Sequence, residues 1–408
     1  MSAGTDEEAE PRARRFRWGE GERPVLVTVL SLFCAAVIGS ILIAVADEET
    51  RTAMSYFFAY PWDTFTAAGK AIGAAWVSLF EGAILRPSAL ASGNPSAILA
   101  PISETLVSAT PLILGGLSVA LAFRAGLLNI GGQGQIIAGA VAAAFVGFHW
   151  HMPVGIHLVA ALAAGIVGGA IWGGIAGLLK ARTGAHEVIS TIMLNYVALY
   201  SLAYLLNVKG FQAPPYGQAI SNNVDETARF PPLFTSSLRV NLSLVLALLA
   251  AVGVWWLLTR SSLGFRLRAV GANQHAARTA GMNVGRSYIW VMLLAGALSG
   301  MAGCAQILGT NPAVTNDIDA GIGFDAITVA LLGRSKPGPT VMAGLLFGAL
   351  RAGSVQMQSS TGTPVDLVQV VQSLIVLFIA APALVRAVFR FKGGGGSLTQ
   401  ELAKGWSS

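Results

Sequence analysis

The chain has 408 residues, of which 54% are apolar and 11% charged, with a formal net charge of +6 and a mean hydropathy of +0.64. So little charge cannot cover a soluble fold, which excludes an ordinary globular enzyme. The two cysteines, Cys34 and Cys304, lie inside apolar blocks and indicate neither a disulfide framework nor a thiolate metal site; the pI of 9.5 comes from basic segments between apolar blocks, so nucleic acid is not an expected partner.

The apolar material falls in blocks of about 17 to 25 residues, the length that crosses a hydrocarbon core of about 30 Å. An all-α polytopic transmembrane bundle of about ten spans is expected, at 25–46, 104–123, 131–148, 154–179, 187–207, 241–259, 287–308, 324–333, 339–356 and 366–388. Residues 1–24 form an N-terminal tail, 25–392 the membrane domain and 393–408 a C-terminal tail. With both termini cytoplasmic, about 19 Lys and Arg lie inside and about 7 outside, as the positive-inside rule requires. The first block, Val25 to Ala46, is too long for a signal-peptide core and reads as a retained span.

Residues 50–100 interleave Tyr56, Tyr60, Trp62 and Trp76 with Asp63, Lys70 and Glu81, a pattern for interfacial helices on the outer surface. Next comes Phe123-Arg-Ala-Gly-Leu-Leu-Asn-Ile-Gly-Gly-Gln-Gly-Gln135, where glycines relax the backbone while Asn129, Gln133 and Gln135 supply uncharged donors and acceptors. No strand precedes it, so it is not a dinucleotide fingerprint; it suits a broken helix beside a pathway for a polar solute. The ladder Gly165, Gly169, Gly173, Gly177 bares one helix face for close packing. Glu187 and Asp325 each begin a span, with Asn195 two turns from Glu187 on about the same face. Ionisable and polar groups at such positions are costly unless paired or functional. Asn129, Gly131, Gly132, Gln133, Gln135, Glu187, Asn195 and Asp325 are therefore the candidate pathway or gating residues.

Between 260 and 286 stand five arginines and no acid, with Ala276, Ala277, Ala280 and Gly281 at helical spacing, a short basic helix with a smooth face fit to dock into a groove. The block at 324–333 is too short to cross alone, so it is either buried in the bundle or part of a broken helix. Val119-Ala-Leu-Ala-Phe-Arg124 is echoed by Val329-Ala-Leu-Leu-Gly-Arg334, which suggests a parallel internal repeat about an axis along the membrane normal.

The 123–135 run resembles the inner-membrane permeases of bacterial nucleoside and simple-sugar ABC importers, the ribose-type branch of the branched-chain amino acid permease superfamily. Gly184-Ala-His-Glu-Val-Ile-Ser-Thr-Ile-Met-Leu-Asn-Tyr196 and Gly323-Phe-Asp-Ala-Ile-Thr-Val-Ala-Leu-Leu-Gly333 resemble further segments of that family, and the likeness extends over nearly all of 25–390. Leu128 and Gln133 stand where the nucleoside branch more often has Phe and Glu, and His186 where Asn is usual. The resemblance implies half of a translocation pathway for a polar solute, nucleosides before pentoses. It also implies that 260–286 is the coupling region, with Gly264, Arg266, Arg268, Gly271, Asn273, Ala276, Ala277, Ala280 and Gly281 received by an ATPase. The implied partners are a second homologous permease, a cytoplasmic ABC ATPase and an external solute-binding lipoprotein, besides the membrane lipid itself.

None of the lysines precedes Ser or Thr, so the sequence holds no phosphate loop; ATP and Mg are expected on the partner ATPase, with no cofactor or metal in this chain. No hydrolase or metalloprotease motif is present, and His149, His151 and His157 read as interfacial. An ion-coupled secondary transporter is the alternative class, and it would need carboxylates at mid-membrane.

Overall fold

The computed structural model describes residues 23–234 and 237–381. The expected tails fall outside them, except for the last two residues of the first, and so does the end of the tenth expected span. The helices are α1 Arg23–Ala46, α2 Glu48–Ser55, α3 Pro61–Ala83, α4 Pro87–Ser92, α5 Pro95–Arg124, α6 Gly132–His149, α7 Ile156–Thr183 and α8 Glu187–Leu205. They continue as α9 Ser243–Arg260, α10 Ser262–Ala272, α11 Gln274–Thr279, α12 Val284–Gly309, α13 Ile322–Leu332, α14 Pro337–Thr361 and α15 Val365–Ala380. Each of the ten expected spans coincides with a helix, so the all-α polytopic bundle is what the chain forms.

Small residues set the helix spacing. The glycine ladder of α7 lies against α12: Gly169 faces Gly296 and Gly300, Gly173 faces the Met292 carbonyl and Gly177 the Met292 side chain. Gly139 of α6 abuts Gly300 as well, where an added Cβ would lie 2.8 Å from the Gly300 carbonyl oxygen. Three backbones thus meet without intervening side chains, the arrangement that lipid, offering no hydrophobic drive, demands for tight association. A second bundle forms where α5 packs on α13 and α14, with Gly115 against Ala326, Gly116 against Val329 and Gly348 against Ala109. α1 joins it through α15, Gly39 fitting under Val371.

Residues 50–100 form α2, α3 and α4 with the start of α5. Trp76 donates to Ser40 Oγ at 2.9 Å and Gly82 abuts Gly353, so α3 rests on the outer turns of α1 and α14. Residues 206–234 and 237–242 fold over the same end of the bundle. They are tied there by Phe230 N–H to the Leu308 carbonyl, Val224 N–H to Pro312 and Asp225 N–H to Gly147, at 2.7–2.9 Å. His157, read as interfacial, is buried beneath this cap between Thr227 Oγ1 and the Val146 carbonyl.

Overpacking a backbone contact leaves a helix pair no small adjustment to make. Gly300→Val should lower the unfolding temperature in detergent and reduce monodisperse protein, a cost of about 1–3 kcal/mol or more. Gly73→Ala, at a position with nothing within 4 Å of the added carbon, should melt like wild type.

Candidate functional site

The two copies of the suspected repeat lie side by side and end at one place. α5 ends at Arg124 and α13 two residues before Arg334, and Arg124 Nε donates to the Ser335 carbonyl at 2.9 Å, joining the turn after α5 to the turn after α13. Their continuations differ. After α13 the chain reverses tightly, with Arg334 and Ser335 both at φ 51°. After α5 it turns at Gly126, φ 74°, and residues 125–131 climb back without helix to the start of α6.

Gly132 there meets the start of α13, an added Cβ lying 3.1 Å from the Gly323 carbonyl oxygen. Gly323 is nine residues, about 14 Å, from the end of α13 at Leu332. The amino termini of α6 and α13 therefore meet near half the depth of a bilayer core of about 30 Å. The short block at 324–333 is a half-length helix buried in the bundle, as its length required.

Non-helical backbone at that depth must find partners within the protein. Asn195 of α8 supplies two: its Oδ1 accepts from Gly134 N–H at 2.9 Å and its Nδ2 donates to the Ile130 carbonyl at 2.9 Å. Asn129 and Gln135 exchange amide hydrogen bonds at 3.0 and 3.1 Å, and Asn129 Oδ1 also accepts from Gly131 N–H. Asn129, Gln135 and Asn195 are buried, so they clamp the break from inside. Gln133 is partly exposed, and among the described residues its side chain has no hydrogen-bond partner. Gly131 and Gly134 leave room for this network, their Cβ directions being occupied by Thr191 and by Trp172 Nε1.

Glu187 and Asp325 lie apart from this cluster. Glu187 pairs with Lys180 Nζ at 2.6 Å, locking the α7–α8 turn. Asp325 stands 4.0 Å from Arg351, whose Nη2 donates to the Ala320 carbonyl at 2.6 Å and so holds the entry to α13.

Arg351 opens onto a feature the sequence reading did not identify. A cavity of about 470 Å³ lies between α3, α5, α12, α13 and α14, lined among others by Arg86, Glu104, Arg239, Gln306, Arg351 and Gln356. It sits at the end of the bundle opposite Arg124, since Glu104 is twenty residues, about 30 Å, along α5 from that arginine. Arg239 pairs with Glu104 at 3.0 Å and Arg86 Nη2 donates to Gln356 Oε1 at 2.9 Å. Its volume is that of a small-molecule site, and its charged side chains number three arginines to one glutamate. The available signal was Arg351 itself, a cation inside an apolar block.

At the opposite end, α10, α11 and the start of α12 are held by side-chain caps: Ser261 accepts from Gly264 N–H, Asn273 from His275 and Ala276 N–H, and Asn283 from Arg286 N–H. The structure divides the candidate coupling residues. Gly264 packs on Leu257 and Leu258, Ala277 is buried beside Val270 and Val284, and the Cβ direction of Gly271 is filled by Arg124–Gly126, 2.8 Å from Gly126 N. Arg266, Arg268, Asn273, Ala276, Ala280 and Gly281 are exposed. Of the small-residue face only Ala277 is packed inward, with Gly264 and Gly271 of α10 seating the segment on the membrane domain, while Ala276, Ala280, Gly281 and the arginines look outward.

Among the described residues no group of three His, Cys, Asp or Glu side chains is placed to hold a metal ion. Residues 102–380 match the family described as branched-chain amino acid transport system / permease component. The chain belongs to that family. It is therefore a transport component rather than an enzyme, a multi-pass protein of the inner membrane. It is 42% identical to the guanosine ABC transporter permease protein NupP of Bacillus subtilis over 70% of this chain and 83% of that one. To the glucose ABC transporter permease protein TsgB13 of Haloferax volcanii it is 35% identical, covering 68% and 75%, and to the nucleoside ABC transporter permease protein NupB of Lactococcus lactis 34%, covering 70% and 81%. No solved structure matches it significantly.

Removing the Asn195 amide leaves one buried N–H and one buried carbonyl unpaired, at about 1–3 kcal/mol each. Asn195→Leu should lower the unfolding temperature in detergent and abolish uptake, whereas Ser190→Ala, half-buried on the same helix and bonded only to the His186 carbonyl of its own turn, should do neither.

Proposed function

We propose that this chain is the permease subunit of an ATP-driven nucleoside importer, pairing with a second, homologous permease across the exposed face of α8. The observation that carries this is a row of tyrosines. Tyr196, Tyr200 and Tyr204 are 53%, 69% and 72% exposed and recur every four residues along one face of a membrane span. Hydrocarbon cannot satisfy three phenol hydroxyls, so this face is suited to a polar surface and not to lipid. Two such faces related by a two-fold axis would line a channel in which the rings stack on a nucleobase while their hydroxyls meet the ribose. Guanosine and nucleoside permeases among the relatives support the same substrate class. The glucose permease at similar identity keeps a simple-sugar importer as the second reading.

The external cavity around Arg239 and Arg351 is the entry to this pathway in the proposal, where a solute-binding protein would deliver its cargo. Asn129, Gly131, Gly132, Gln133, Gln135, Glu187, Asn195 and Asp325 act as its gate rather than as direct ligands, because most are already engaged with the protein. Energy would arrive at the other end. A cytoplasmic ATPase, carrying ATP and Mg, would receive α10 and α11 by Arg266, Arg268, Arg278 and Ala276. Movement of α10 passes through the contact of Gly271 with Arg124–Gly126 to the turn that leads into the break, and through Arg124 to the turn after α13. Both termini lie on this same cytoplasmic side, by the distribution of Lys and Arg.

The test is uptake of labelled guanosine by cells co-expressing the ATPase, second permease and binding protein. Excess unlabelled nucleosides should compete while pentoses and glucose do not; the reverse order would give the pathway to sugars. Tyr200→Ala should reduce uptake at least ten-fold with normal membrane insertion. Ala276→Glu, exposed on α11, should reduce ATPase retention on pull-down at least ten-fold and stop uptake. Wild-type retention by that variant would leave the segment a solvated loop. Gly271→Glu is unsuited to the purpose, since its side chain would collide with Arg124–Gly126 and disturb the membrane domain itself.

A further inference from the structure

We infer that a groove between α6, α7 and α8 is a binding site for one phospholipid of the outer leaflet, distinct from the solute pathway and independent of the substrate reading. The groove encloses about 640 Å³ and is lined by apolar side chains, among them Ile137, Val141, Ile171, Trp172 and Leu205. Its polar exceptions, apart from Ser201, cluster at one end, where Lys209 and His149 stand at its mouth, with no acid among the lining residues. Lys209 Nζ lies 5.8 Å from the Tyr216 ring centroid, and the His149 ring stacks on Phe145 with centroids 5.0 Å apart, so both are positioned at the rim.

The dimensions select the occupant. Along α6 the groove runs from Ile137 to His149, twelve residues or about 18 Å. One leaflet of the hydrocarbon core is about 15 Å thick, half of the whole. A site with one leaflet of apolar wall beneath a cationic rim matches an acyl chain hanging from a phosphate, and a lysine at that level contributes about 1 kcal/mol to an anionic headgroup. The wall beside it, Val167 and Ile171 of α7, is exposed and apolar, so the groove communicates with the lipid phase. A soluble apolar ligand would have no use for the rim, and a helix of a partner chain would leave Lys209 facing hydrocarbon.

The experiment purifies the assembled transporter with its ATPase, exchanges the detergent exhaustively and counts retained phospholipid per permease by native mass spectrometry. Wild type should retain one phosphatidylglycerol-class lipid per groove. Lys209→Glu should weaken retention about five-fold, the equivalent of about 1 kcal/mol. Ser201→Trp, from an exposed position on the groove wall, should abolish retention, and Leu249→Trp, exposed on α9 away from the groove, should leave it unchanged. Lys209 is exposed, so its variant reads the site even where Ser201→Trp fails to assemble. Equal retention in all four proteins, or none in wild type, would overturn the site. Disulfide capture of Ser201→Cys by the second permease would assign the groove to that partner and also overturn it.

Discussion

The architecture depends on one constraint: polar backbone that leaves the helix at membrane depth must be hydrogen-bonded by the protein. Residues 125–131 break this chain's helical ladder, and the amides of Asn129, Gln135 and Asn195 restore the balance. Because Asn195 belongs to α8 while the groups it satisfies belong to the stretch before α6 and its first turn, the network also fixes how those helices sit together. Losing one amide would both expose a polar group and uncouple two helices, which is why uncharged amides suit the break better than a carboxylate whose own desolvation would have to be met.

Close backbone approach serves the same end. The α7 ladder against Gly296 and Gly300, with Gly139 closing from α6, forms a rigid wall on one side of the break. On the other side α5 and α13 pack through Gly115 and Gly116. Between these walls the amino termini of α6 and α13 face each other. Rigid helices around a locally irregular centre give a membrane protein a place that can change conformation without losing its hydrogen bonds.

The end of the bundle that carries α10 and α11 gathers the connections. Arg124 links the turns after α5 and α13, and Gly271 of α10 rests on the same turn. A push on the basic helix therefore acts on both halves of the repeat at once. The opposite end is built differently, from residues 206–234 and 237–242 with α2–α4, and there ion pairs and amides surround a cavity while the side of α6, α7 and α8 carries the groove beneath Lys209.

The order and approximate ends of the apolar helices were legible in the sequence, because crossing hydrocarbon imposes length and composition on each segment separately. The glycine ladder was equally local, and so was the break at 125–131, since glycines beside amides tolerate little else. Family membership followed from runs of linked motifs. What each polar side chain does was decided only by the tertiary structure. Glu187 pairs within its own turn while Asn195 reaches a different helix; nothing in their spacing separates the two. Gly271 faces inward because α10 lies on a turn more than a hundred residues earlier in the chain, and Ala277 faces inward and Ala276 outward because α11 folds back on Val270 and Val284. The cavity joining Arg86, Glu104, Arg239 and Arg351 draws on four segments dispersed along the sequence. A hydrogen bond or a cavity wall depends on positions in space, and one-dimensional periodicity reports only which face of a helix is apolar, not which neighbour that face will meet.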